Sequence, residues 1–295
     1  MFTAVHWDYL HRVGLVPPFP AVLGAVTGGS ALDDQLRSDL MNTGVAVERA
    51  GELALEESRR PVLEAFAAPA VKLFGTVLLY RDAVRRSVSV DDVAPQWREL
   101  AEATSVVIPQ AKFVVAVTDE VVSAAVQYRG CVSLSGVDCA HADPVVQAAR
   151  LLWEALSPGR PYGGLQEVTV GLPALTAVSR VRVGAGEPDG LEAASGVLGE
   201  AGVGAERGRR LLDLLAQEPL AAAQVCVSVW SHDRRVESKD AAIGLVELDG
   251  GAVLSVPSWR LDGNCHVTYM PATAGRWEKE IAEFVAHYQQ RAKIA

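Results

Sequence analysis

The chain has 295 residues, of which 49% are apolar, 21% charged and only 6% aromatic. That length and apolar content exclude a disordered chain and allow two domains or one duplicated unit. With 36 acidic against 27 basic residues the formal charge is −9, which argues against a duplex nucleic-acid binder, and four cysteines do not make a disulfide framework.

The N-terminus carries no basic region followed by an apolar run, so no signal peptide is expected. The longest uncharged stretch, 13–32, holds Pro17, Pro18, Pro20 and four glycines, which does not suit a membrane helix. A cytosolic protein with no membrane insertion is the expectation. After that loop, Leu32, Leu36 and Leu40 share one face of a helix over 31–42, with Ser30 as its cap and Gly44 past its end. A second helix is expected over 48–66, broken near Pro61. Residues 71–80 are β-branched and apolar and read as a strand covered on both faces. Val-rich runs at 112–118, 121–128 and 131–137, separated by Asp119-Glu120 and Arg129-Gly130, predict an antiparallel meander. Asp143-Pro144 opens a helix with Val145, Ala148, Leu152 and Leu156 on its apolar face.

The order then repeats. A helix over 191–201 ends at Gly202-Val203, as the earlier one ends at Gly44-Val45. A helix holding Leu211, Leu214 and Leu215 stops before Pro219. A strand over 222–230 answers 71–80, and a second meander covers 241–248, 252–259 and 264–270 before a last helix over 277–290. At the front, Val168-Thr169-Val170 ahead of 172–178 matches 2–5 ahead of 7–13. Order-preserving similarity of this kind marks a duplication, although any α+β chain of this size alternates in a similar way. Under duplication, halves 1–160 and 165–295 share one mostly antiparallel central sheet with helices packed outside it.

The halves differ between the first strand and its meander, where the first has a long connection, 81–109, and the second a short one, 231–240. The long one holds Arg81, Arg85, Arg86 and an amphipathic piece around Trp97. It reads either as an interface anchor or as a solvated loop whose Trp97 folds back on the core. The mixed charges of 232–240 read as a polar hairpin loop or as a partner contact beside the longer loop.

Catalytic patterns are missing from the sequence. It has no Walker loop and no Gly-x-Ser-x-Gly elbow, and Gly184-Ala185-Gly186 reads as a mobile linker between the halves. Cys131, Cys139, Cys226 and Cys265 lie in or beside apolar runs and read as small buried thiols. His141 and His266 stand close to cysteines but without zinc spacing, and His6, His11, His232 and His287 read as surface or capping residues. Asp33-Asp34, Glu56-Glu57 and Asp91-Asp92 read as solvated faces. No metal and no cofactor are expected, which leans the reading towards binding.

The segment 240–260 has an Ala-rich entry, Gly244, a turn at Asp249-Gly250-Gly251, and the strand Ser255-Val256-Pro257-Ser258-Trp259-Arg260. It resembles the ESX (type VII) secretion-associated EspG family. Asp262-Gly263 and Tyr269-Met270-Pro271-Ala272-Thr273 look like that family's next turn and strand exit, with Ala272 where glycine is usual. The resemblance implies an α+β, quasi-two-fold fold: a central, mostly antiparallel sheet flanked by two helical bundles. It also implies a non-enzymatic cytosolic chaperone that binds the helical tip of PE/PPE-type substrates and directs them to export. The implied contact regions are 81–109, the rim near 230–235 and the helix around 209–215. Position and chemistry there single out Arg81, Arg85, Arg86, Trp97, Trp230, Arg234 and Arg235, in a monomer or weak dimer. The alternative class is a small-molecule-binding protein or enzyme with a pocket between the halves.

Overall fold

The computed structural model describes residues 1–26, 30–85, 94, 106–184, 187–231, 234–239, 241–259 and 263–294, with backbone alone for 85, 182–184 and 187–189.

Thr3 opens helix α1 (Ala4–Arg12) with a capping box, its hydroxyl accepting from the His6 amide while the His6 ring accepts from the Thr3 amide. Trp7 of α1 is buried, and its Nε1 donates to the Pro17 carbonyl at 2.9 Å, which ties the Pro-rich loop to the helix. Helix α2 (Asp33–Asn42) buries Leu36 and Leu40. Its start differs from expectation. Ser30 lies in a short 3-10 turn, Ser30–Leu32, and Leu32 is exposed. Asp33 and Asp34 occupy the first helical turn, where their charge suits the helix dipole.

The helix expected over 48–66 is replaced by a hairpin, β1 (Ala46–Arg49) and β2 (Glu52–Leu55). Ala50 and Gly51 both have positive φ, 54° and 84°, as a type I′ turn requires. Gly51 would have weakened a helix interior, and the hairpin buries Ala46 and Leu55 instead. Pro61 does not break a helix. It sits in the first turn of α3 (Arg60–Glu64), where its missing N–H costs nothing.

The first half continues with β3 (Val71–Leu78), then a two-residue ladder of β4 (Val84–Arg85) with β5 (Val106–Val107). The expected meander follows as β6 (Gln110–Val117), β7 (Val121–Tyr128) and β8 (Cys131–Asp138). Helix α4 (Pro144–Leu156) starts at Asp143, whose carboxylate accepts from the amides of Val145 and Val146. The second half opens with β9 (Val168–Gly171), α5 (Leu172–Gly184), α6 (Glu187–Glu200) and α7 (Ala205–Leu215). It closes with β10 (Ala221–Ser231), β11 (Arg234–Glu237), β12 (Ile243–Leu248), β13 (Gly251–Trp259), β14 (Cys265–Pro271) and α8 (Ala274–Ile294). Gly184 is the last described residue of α5, and Ala185-Gly186 lie outside the described residues.

Ten strands form one sheet in the order β8-β7-β6-β3-β10-β12-β13-β14-β9, with β11 pairing on the end of β10. Each of these pairings is antiparallel. The order reads the same outward from the β3–β10 pair on either side, first strand and then meander. At the outer edges Thr3 bridges Cys131 of β8, and β9 pairs with β14.

Helices α4 and α8 cover one face of the sheet across its middle. Their side chains share a core with Leu73, Val115, Val225, Leu245 and Leu254, and Trp277 Nε1 of α8 donates to the Ala149 carbonyl of α4 at 2.8 Å. The other face carries two separate cores. The α1–α3 region packs on β6–β8 around Trp7, Leu40, Leu63 and Val114. The α5–α7 bundle packs on β9 and β12–β14 around Val170, Leu198, Leu211 and Val253. The fold is thus α+β, with a large antiparallel central sheet and helices on both faces.

Candidate partner-binding surface

Side chains alternate across a strand, so β3 and β10 each send every second residue to the face that carries the two bundles. On β10 the sequence alternates Val225, Val227 and Val229 towards the continuous core with Gln224, Cys226, Ser228 and Trp230 towards the other side. Among the described residues the α1–α3 core reaches β3 at Phe74, and neither bundle core takes in a β10 side chain. Gln224, at the centre of the sheet, is exposed, and Phe74, Thr76, Leu78 and Cys226 are only half buried. The expectation that 71–80 is covered on both faces holds only in part: beyond Phe74, Thr76 and Leu78 stay half exposed beside β10. A polar row crosses this strip of β3 and β10, with Lys112 opposite Thr76, Thr76 opposite Gln224, and Gln224 opposite Gly244.

At one end of the strip stands the β10–β11 hairpin. Trp230 is 49% exposed and pairs opposite Arg235, whose guanidinium lies 6.0 Å from the indole centroid. Arg235 Nε donates to Ser228 Oγ at 3.0 Å, and a second guanidinium nitrogen pairs with Glu237. Arg234 is exposed on β11. Burial, together with the charge of Arg235, lowers the pKa of Lys72, while Glu237 opposes that shift.

Arg81 and Arg85 lie at the other end. The Arg81 amide donates to the Leu220 carbonyl at 3.0 Å and its guanidinium pairs with Glu247 at 2.5 Å. Arg85 belongs to β4, where it pairs with Val106. Neighbouring antiparallel strands leave in opposite directions, so 81–109 and 231–240 emerge at opposite ends of the β3–β10 pair. Eight residue pairs separate the ends, about 25 Å at the usual rise per residue. The two connections therefore start from opposite ends of the pair. Arg86 and Trp97 lie outside the described residues.

Next to the strip, under the C-terminal end of α7, an apolar cavity of about 150 Å³ is lined by Leu214, Leu215, Pro219, Val246 and Tyr269 among others. Leu215 is 38% exposed there. The α7 arginine Arg210 is engaged within the chain, with Gly164 O and Glu206 at 2.6 Å each. Lys72, Thr76 and Gln224 were not singled out from the sequence. Their signal was there: polar residues at alternate positions in two otherwise apolar strands.

The other candidates resolve one by one. Only Cys139 is fully buried, while Cys131, Cys226 and Cys265 are half buried. His6 takes the capping role and not a surface one, its ring accepting from the Thr3 amide. It is buried, with Nε2 3.7 Å from Asp39 Oδ2. His11 Nδ1 donates to Val16 O at 3.0 Å, and the His287 ring stacks on Trp259 with centroids 4.6 Å apart. His232 lies outside the described residues. Among the described residues no group of three or more His, Cys, Asp or Glu side chains is placed to hold a metal ion, and no helix is long and apolar enough to cross a membrane.

No protein-family profile and no curated protein sequence matches the chain. Its fold does match a solved structure, the Mycobacterium tuberculosis type VII secretion system chaperone EspG5 in complex with the PE25–PPE41 dimer. The TM-score is 0.65 at 15% identity, covering 97% of this chain and 94% of EspG5. At that identity the likeness speaks for the fold, and the chain has an EspG-like fold over nearly its whole length.

Proposed function

We propose that the chain is a non-enzymatic, cytoplasmic chaperone of a type VII secretion system, which holds the helical end of a PE/PPE-type substrate against the middle of its sheet. The observation that carries this reading is the incompletely covered strip over β10 and the adjoining part of β3, with exposed Gln224 at its centre and half-exposed Trp230 at its end. A sheet strip bounded by two helical bundles suits a helical end laid between them. The apolar cavity beside Leu215 offers a place for an apolar side chain of the partner. Covering an aggregation-prone apolar end removes it from water and keeps the substrate soluble. The match to EspG5, solved with a PE–PPE dimer, supports the choice of partner.

The halves are proposed to be 1–160 and 165–295, related by duplication. In the same reading Trp230 is an anchor, and Arg81, Arg85, Arg234 and Arg235 steer the partner from the two ends of the strip.

The test is co-expression with PE–PPE pairs, followed by size-exclusion chromatography with light scattering. A stoichiometric complex is expected. Trp230→Ala should weaken it by about 2 kcal/mol or more without changing the thermal midpoint of the free chain, because the indole is already half in water. Free chain eluting alone beside every such pair would end the chaperone reading.

A further inference from the structure

We propose that the strip accepts an acidic side chain of its partner at Lys72, beside an apolar partner residue that covers Trp230. This rests on the chaperone reading and specifies the chemistry at one end of the strip. Lys72 faces the strip from β3, opposite Ser228 of β10 and Ala116 of β6. It is half buried. Glu237 is the one described carboxylate acting on it, and Glu237 is already ion-paired with Arg235. Arg235 is itself held by Glu237 and Ser228 and lies over the indole of Trp230.

The local balance among the described residues is two cations against one carboxylate, on a chain whose net charge is −9. A half-buried ammonium beside a like charge is an unfavourable arrangement until a counter-charge arrives. A partner that covers Trp230 also removes water from around Lys72, which strengthens its attraction for a carboxylate. The spacing suits a helix. Lys72 lies opposite Ser228, and Trp230 is two residues further along β10, a diagonal separation of about 7–8 Å. An acidic and an apolar side chain three or four positions apart on one helix lie close enough to meet both.

The experiment uses the full-length chain and its Lys72→Met variant, which keeps the length of the side chain and drops the charge. Binding of a PE–PPE dimer is measured by calorimetry at low and high salt. In parallel, two synthetic helical peptides are titrated, one carrying Leu and Glu four positions apart and a twin with Gln in place of Glu. The variant is expected to bind the dimer about tenfold more weakly and to show a smaller salt dependence than the wild type. Its own thermal midpoint should stay unchanged or rise. Equal affinity and equal salt dependence would overturn the assignment. So would a fall in the midpoint of the free variant, because Lys72 would then be serving a carboxylate of its own chain. If the wild type retains no PE–PPE dimer, the chaperone reading fails and the peptide pair decides alone. A preference for Glu over Gln that disappears in Lys72→Met upholds the assignment, and no preference overturns it.

Discussion

Two glycines show how one substitution takes opposite signs in different surroundings. A Cβ on Gly75 of β3 would lie 1.7 Å from the backbone oxygen of Gln224 and 2.8 Å from Phe113. Backbone cannot yield as a flexible side chain does, so Gly75→Ala should destabilise the protein by about 3 kcal/mol or leave it insoluble. Gly196 of α6 is exposed, and a Cβ there meets nothing within 4 Å. Gly196→Ala should therefore stabilise by up to about 1 kcal/mol. Chemical denaturation of both variants checks the pair. The histidines set a pH dependence. Burial pushes the pKa of His6 down against the opposing charge of Asp39, and burial with Arg291 does the same for His287. The unfolded rings titrate near about 6.5 and the folded ones lower, so between those values the unfolded chain binds more protons. Stability should be full above the unfolded value and decline as the pH falls below it towards the folded values. Glu280, raised by burial and by Glu283, acts in the opposite sense at lower pH. Urea unfolding from neutral to mildly acidic pH reads the decline. His287→Phe should flatten it while keeping the stack on Trp259.

At the scale of single elements, turn chemistry decided what hydrophobic spacing had left open. The spacing of apolar residues over 48–66 allowed a helix, but Ala50-Gly51 closes a two-residue hairpin with both residues left-handed. Arg129-Gly130 does the same between β7 and β8, with φ of 50° and 81°. In the second case the Val-rich flanks made the hairpin legible. In the first the flanks Ala46–Arg49 and Glu52–Leu55 are only four residues each, without β-branched runs, and did not. Alanine is a poor residue at positive φ, whereas asparagine tolerates it. Ala50→Asn should accordingly raise the stability by about 0.5 kcal/mol, seen as a higher thermal midpoint.

At the scale of the molecule, the continuous core under α4 and α8 joins both halves. It holds Leu73 and Val115 from one, Val225 and Leu254 from the other, and the bond from Trp277 to Ala149 crosses between them. Either half alone would expose the β3 or β10 edge and half of that core to water. Fragments 1–160 and 165–295 expressed separately are therefore expected to aggregate, and co-expressed fragments to yield a soluble, stoichiometric complex. Two fragments that fold independently would contradict a shared core.

The strands β3, β6–β8, β10 and β12–β14, their antiparallel meanders and the helix after Asp143 were readable from the chain, because alternation, turns and caps are local. The segment resembling EspG lies in β12–β14, where that local signal is dense. The strip was not readable. Gln224 and Lys72 are polar residues in apolar strands, and their meaning depends on where two helical bundles, distant in sequence, stop on the sheet. The same holds for the split of the arginines between its two ends, which follows from antiparallel pairing of β3 with β10 across about 150 residues of chain. Local chemistry determined which elements form. Only the packing of those elements decided which face of the sheet was left open to a partner.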